Sequence, residues 1–324
     1  MNAMPHFPLI RVGDPIHHEN LTIFPIFSSG PASDEVDYLL SDEAVGAGSV
    51  TVEEINESGS VPTLLVTNRG DHRVLFLEGE ELRGAKQNRV LNTSVLIGAG
   101  TKATIPVSCV EMGRWRFRSH KFTTSDNYSS PKLRRRLKQS VTRSLREGQG
   151  HRSDQGAVWS EVDRQMQSLK SSSETHAMSD TYESNRDRFQ EFRTHMSYAE
   201  GATGLAVAIG SAVVALDIFD KPSTCRKVWD RLLSGFVMDA LEEGKVTQSP
   251  APAEVDALLK RLEAAAWQES PAVGEGREFR TDAGPKTHAS ALTFATCMLQ
   301  AVRWWRPRTE WSSVQARLPW QDRD

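Results

Sequence analysis

Apolar positions along this chain follow two periods. From Leu21 to Val110, short runs rich in β-branched residues alternate with polar turns. From Pro131 to Met196 they recur at helical spacing, and after Gly204 both patterns return. A repeat of two belongs to strands and a repeat of three to four to helices. Leu21–Phe27 reads as an opening strand, with Tyr38–Leu40 and Val50–Ile55 as short ones. Thr63–Thr67 and Arg73–Leu77 read as a hairpin, because Asn68-Arg69-Gly70-Asp71 tolerates positive φ in a tight turn. Gln87–Ile97 and Thr104–Val110 repeat that arrangement around Gly98-Ala99-Gly100. In Arg114–Lys121 an expected strand carries Arg114, Arg116 and Arg118 on one face and Trp115 and Phe117 on the other. The basic face is either a charged, protected sheet edge or the wall of an anion site.

Thr123–Ser130 reads as a polar linker. Ser130 and Pro131 then open a helix whose stripe is Leu133, Leu137, Val141 and Leu145. Val158, Trp159, Val162, Met166 and Leu169 mark a second helix, and Tyr182, Phe189, Phe192 and Met196 a third. Serine-rich Lys170–Ser179 between them reads as mobile. Leu205–Ile209 and Ala212–Phe219 form a hairpin about Gly210-Ser211. Val228–Leu241 is a helix that Asp220 or Ser223 could cap, and Pro252–Trp267 is another. Glu278–Asp282 and His288–Trp304 read as closing strands, and Arg306–Asp324 as an irregular tail. The expected fold class is α+β, an antiparallel β-sandwich-like core with helices packed on it. Residues 1–122 supply its β-rich part, 123–200 a partly mobile helical insertion, and 201–324 the hairpin, helices and strands that complete it.

Composition narrows the function classes. The 324 residues are 38% hydrophobic and 25% charged, with a formal net charge of -3. That balance gives no whole-molecule attraction to nucleic acid or an anionic membrane. The three cysteines, Cys109, Cys225 and Cys297, form no CxxC, and the nine histidines form no HxH or HExxH. Neither a disulfide framework nor a zinc site is expected, and no metal ligands are assigned. The start, MNAMPHFPLIRVGDP, lacks a basic segment followed by an apolar one, and Gly204–Leu216 is too short to span a bilayer. A cytoplasmic location without membrane contact is the expectation.

Candidate chemistry concentrates in 78–115. Glu78 and Glu80 would share one face of an extended strand, where paired carboxylates bind a divalent cation or divide acid and base roles. Exposed glutamates at a strand end are the plain alternative. Lys86, Gln87, Asn88, Arg89 and Asn92 combine amide donors and acceptors with cations that grip phosphate, which suits a small anionic or nucleotide-like ligand. The same groups would also serve as a network fixing a turn. Cys109 alternates through an apolar strand and reads as core. Glu111 and Arg114, where that strand leaves the core, are better site candidates. The helix within 131–152 carries Lys132, Arg134, Arg135, Arg136, Lys138, Arg143 and Arg146, with Arg152 beyond it. It is either a nucleic-acid or partner surface or, as favoured here, a helix paired with acidic neighbours.

The stretch EGEELRGAKQNRVLN, followed by IPVSCVEMGRW, resembles a prokaryotic family. This is the ADP-ribosylglycohydrolase- and rhodanese/phosphatase-superfamily-associated protein domain. The later block GLAVAIGSAVVALDIFDKPSTCRKVWDRLLSGFVMDAL resembles the same family. Together the two blocks extend the resemblance over most of the chain outside 123–200. It implies a role in binding or processing an NAD-derived or nucleotide-like metabolite of the ADP-ribose type. It carries over no catalytic residue and names no cofactor.

Overall fold

β-Branched runs form the strands of this protein, and helices with apolar stripes cover them. The computed structural model describes residues 9–29, 36–56, 62–244, 249–282, 287–295 and 297–304; the 306–324 tail lies outside these. The chain opens with β1 (Leu9–Val12), β2 (Ile16–His18), β3 (Leu21–Ser29) and β4 (Tyr38–Leu40). A short helix α1 (Ser41–Gly46) precedes β5 (Val50–Glu54), β6 (Thr63–Asn68), β7 (Arg73–Phe76), β8 (Glu80–Gly84), β9 (Arg89–Leu91), β10 (Val95–Ile97), β11 (Lys102–Cys109) and β12 (Phe122–Tyr128). Four helices follow: α2 (Pro131–Arg146), α3 (Gln155–Ser168), α4 (Met178–Ser184) and α5 (Arg186–His195). Then come β13 (Gly204–Ile209), β14 (Ala212–Phe219), α6 (Pro222–Glu242), α7 (Pro252–Glu263), β15 (Gln268–Ser270), β16 (Arg277–Asp282), β17 (His288–Phe294) and β18 (Cys297–Trp304).

These strands make a mixed fold of helices and mainly antiparallel sheets. The largest sheet runs β1-β3-β13-β14-β18-β17-β16-β15, with β2 paired to β3. Side chains of β13 alternate between its faces. Leu205, Val207 and Ile209 pack with Trp229, Leu232 and Phe236 of α6, whereas Ala206 and Ala208 pack with Val255, Leu258 and Leu262 of α7. A strand covered on both faces reads as one continuous apolar run, as Gly204–Ile209 does. The second sheet, β12-β8-β9-β11-β6-β5, curls into a half-barrel around Val52, Leu64, Val66, Phe76, Leu82, Leu91 and Ile105. Among the described residues its edges meet in one backbone bridge, between Glu53 and Lys121. The third sheet is β10-β7-β4, in which β4 and β7 run parallel.

Several local expectations change once strand partners are known. β6 and β7 are not a hairpin. The Asn68 amide donates to the carbonyls of His72 and Gly98 at 2.8 and 2.9 Å, making a corner. β7 leaves the corner to pair with β10 and β4, while β6 pairs with β11 and β5. β11 likewise pairs with β6 and β9 rather than with β10. Thr123–Ser130 is no linker, because β12 pairs with β8, and Ser125 and Asn127 both donate to Glu81. Arg114–Lys121 is irregular rather than a strand, since the Arg114 side chain folds inward onto backbone carbonyls. His288–Trp304 is the β17–β18 hairpin, not one strand. The third helix breaks at Asn185 into α4 and α5. α6 starts behind Lys221 without a side-chain cap; Asp220 instead accepts from the Tyr38 hydroxyl at 2.5 Å.

Candidate functional site

The turn after β8 and the loop after β11 build one polar site. Gly84 takes φ +130°, and a Cβ there would lie 2.7 Å from Ser119 Oγ and 2.8 Å from the Lys121 carbonyl. Glycine alone fits so close an approach in that conformation. Arg114 then ties the loop down. Its Nε and Nη2 donate to both oxygens of Glu111 at 2.8 and 2.6 Å. Its Nη1 donates to the carbonyls of Ala85 and Arg116, and its Nη2 reaches the Gly84 carbonyl and Asn88 Oδ1. Asn88 N–H and Thr175 Oγ1 complete the Glu111 carboxylate, each at 3.0 Å. Burial raises the Glu111 pKa, but the bonds from Arg114 and Asn88 outweigh it and hold the group below its ordinary value. Glu111 accepts all four of these bonds and so anchors the loop to the turn after β8.

Behind this anchor, Cys109 Sγ lies 3.1 Å from Gln87 Oε1, and Arg89 Nη1 donates to the same oxygen at 3.2 Å. Arg89 faces Glu54 across 3.5 Å, with both side chains enclosed. Burial pushes the Cys109 thiol up despite the nearby Arg89 charge, so the cysteine is core rather than nucleophile. Lys86 lies beneath two rings, its Nζ 5.2 Å from the Trp115 centroid and 5.0 Å from that of Phe117.

In front lies a cleft of about 490 Å³, lined by Asn88, Glu111, Arg114, Arg116, Phe117, Arg118, Thr175 and Ser179 among others. Arg116 and Arg118 are exposed and have no acidic partner among the described residues. A larger groove of about 640 Å³ adjoins it at Ser179 and Asp180.

Of the residues singled out from sequence, Asn88, Glu111 and Arg114 meet at the cleft, with Gln87, Arg89 and Lys86 behind it. Glu78, Glu80 and Asn92 lie elsewhere. Glu78 sits in the turn before β8 and takes Lys138 Nζ at 2.6 Å. Glu80 turns the other way, to Ser41 Oγ at 2.8 Å and Arg231 Nη1 at 3.3 Å. The two carboxylates therefore share neither a face nor a cation. Asn92 bonds the His151 carbonyl and Ser108 Oγ. On α2, Lys132, Arg134, Arg136, Lys138 and Arg146 each meet an acidic side chain, and Arg134 and Lys138 are fully buried rather than solvated.

The sequence reading missed the segment before α4 as a wall of the site. It is held by Thr175 on Glu111, Ser173 on Asp180 and the Ala177 N–H on Ser173, so Lys170–Ser179 is structured rather than loose. Its run of hydroxyls was the signal available. His18, Glu19 and Glu191 are the one grouping with metal-ligand geometry among the described residues, but Arg188 already bonds both carboxylates.

A model of the ARG and Rhodanese-Phosphatase-superfamily-associated Protein domain, ARPP-1, matches residues 9–304. The chain belongs to the ARPP-1 family. The match takes in all three sheets, the cleft and the helices α2–α5 of this ARPP-1 domain. Comparison with curated proteins and with solved structures gives no match. No helix of the ARPP-1 domain among the described residues is long and apolar enough to cross a membrane.

Proposed function

We propose that the cleft binds a small anionic ligand with a flat ring, a nucleotide-like metabolite of the ADP-ribose type. The observation that carries this reading is the pair Arg116 and Arg118, exposed and without acidic partners, flanking Phe117 at the mouth. Two guanidiniums there suit phosphate oxygens, and the ring suits stacking on a base. Arg114 plays a different part. Its donors are engaged by Glu111 and by carbonyls, so it sets the position of the loop and leaves the phosphate to its neighbours. Asn88 and Glu111 would form the floor, with Lys86, Gln87 and Arg89 as support. The family's association with ADP-ribose and phosphatase enzymes points the same way. A sandwich-like packing of the sheets and a cytoplasmic setting complete the proposal.

Calorimetric titration with ADP-ribose, ADP and orthophosphate tests it. One of the nucleotides should bind, and Arg116→Ala/Arg118→Ala should weaken it at least tenfold, since a hydrogen bond to a charged group contributes about 1.5–3 kcal/mol. Orthophosphate should bind more weakly than either nucleotide. The proposal fails if none binds, or if the double variant binds as the parent does.

A further inference from the structure

We propose that the loop 112–121 is a binding strip for single-stranded nucleic acid, with the cleft holding one nucleotide of a longer strand. This rests on the reading of the cleft as a nucleotide-type site and gives its ligand class.

Three observations carry it. The first is where apolar surface is left uncovered. Of the five large hydrophobic side chains exposed among the described residues, Met112, Trp115 and Phe117 fall within six positions of one loop. Phe117 lines the cleft but Trp115 does not, so ring surface continues past the space a single nucleotide would fill. The second is the brace beneath the rings. Lys86 Nζ lies about equally close to both, and Arg89 lies 5.8 Å from the Trp115 centroid. Cations against aromatic rings hold them in place, and roughly half of each residue remains exposed, 48% for Trp115 and 44% for Phe117. Braced, half-exposed rings are what unpaired bases stack on.

The third is charge. Arg83, Arg116, Arg118 and Lys121 are all exposed and none forms a salt bridge among the described residues, although the Arg83 charge acts on buried Glu81. Arg83 carries the strip from the loop into the adjoining groove. The cations of α2, by contrast, are largely engaged by carboxylates of neighbouring elements. The basic surface that a strand would find is therefore the loop and not the helix. Alternating cations and rings on irregular backbone suit a flexible strand with splayed bases; a helix or ribbon shaped for a duplex groove is lacking there.

The test uses the full chain and fluorescently labelled ten-nucleotide oligouridylate and oligothymidylate, followed by anisotropy across a potassium chloride series. Unlabelled uridine monophosphate and anionic phospholipid vesicles serve as competitors. At least one oligomer should bind at least tenfold tighter than the mononucleotide. Three or four phosphate contacts should give a slope of log K against log salt of about -2 to -3. Trp115→Ala and Phe117→Ala should each weaken the oligomer roughly tenfold, with an unchanged thermal midpoint. Arg143→Ala/Arg152→Ala, on and just past α2, should bind as the parent does. Equal affinity for the two oligomers assigns recognition to bases and phosphates alone, and preference for oligouridylate adds the ribose hydroxyl.

The inference is overturned if the oligomers bind no tighter than the mononucleotide, a result that leaves the cleft proposal standing. It is also overturned if oligomer binding is indifferent to both ring substitutions, or if vesicles bind in place of oligomers. If neither oligomers nor any nucleotide binds, this inference and the cleft proposal fall together.

Discussion

Glu278 shows how one buried carboxylate couples the fold to pH. It accepts from Arg280 Nε at 2.5 Å and pairs with His151 Nε2 at 2.7 Å, almost wholly out of water. Burial raises its pKa, but the Arg280 guanidinium and the His151 ring outweigh that and bring it down to about 2. Between that value and the ordinary glutamate pKa, the unfolded chain binds more protons than the folded one. Stability from this group is thus complete above about pH 4.5 and is lost as pH falls toward 2, amounting to about 3 kcal/mol. In Glu278→Gln the acid limb of stability against pH, followed by urea unfolding between pH 5 and 2.5, should flatten by up to about 1.4 kcal/mol per pH unit. An unchanged acid limb would mean that the pair is not ionised in the folded state.

Helix α2 shows what side chains at four-residue spacing do for a whole element. Arg134, Lys138 and Thr142 lie on one stripe and meet Asp217 of β14, Ser290 of β17 and Arg280 of β16 in turn. The neighbouring stripe, Leu133 and Leu137, packs on Val158 and Val162 of α3. α6 is fixed by the opposite device, a missing side chain. A Cβ on Gly235 would stand 2.7 Å from the Ser129 carbonyl and 2.8 Å from that of Tyr128. Gly235→Ala should push α6 away from the end of β12 and destabilise the protein by roughly 1–3 kcal/mol in urea unfolding. A neutral result would mean that the helix can slide there without loss of packing.

Elements of this kind were legible when their determinants were local. The α6 period, the Ser130-Pro131 start of α2 and the Gly210-Ser211 turn depend on neighbours in sequence, and all three stand where expected. The α2 cations were visible but their acidic partners were not, because Asp217 and Glu78 are distant in sequence. Thr123–Ser130 was missed for the same reason: its polar residues are satisfied by Glu81 on another strand. At the cleft, polar density singles out Asn88, and the place where β11 leaves the core singles out Glu111 and Arg114; the fold brings the three together. Glu78 and Glu80 were joined wrongly, because the turn at Glu78-Gly79 breaks the extended geometry that would have aligned them.

Across the whole molecule, helix α2 ties the two large sheets together through buried ion pairs, Arg134 with Asp217 of β14 and Lys138 with Glu78 beside β8, whereas among the described residues the edges of the half-barrel meet in one backbone bridge. That seam, Glu53 against Lys121, adjoins the loop that carries Trp115 and Phe117. A cylinder fastened by one bridge should open there first, in an excursion far smaller than global unfolding. Amide hydrogens at the start of β12 and the end of β5 should then exchange faster with deuterium than those of β9 and β11 inside the same sheet. A ligand lying along the loop would slow that exchange without touching Glu53. The fastening would then act as a reporter, recording occupancy of the cleft in the breathing of the barrel.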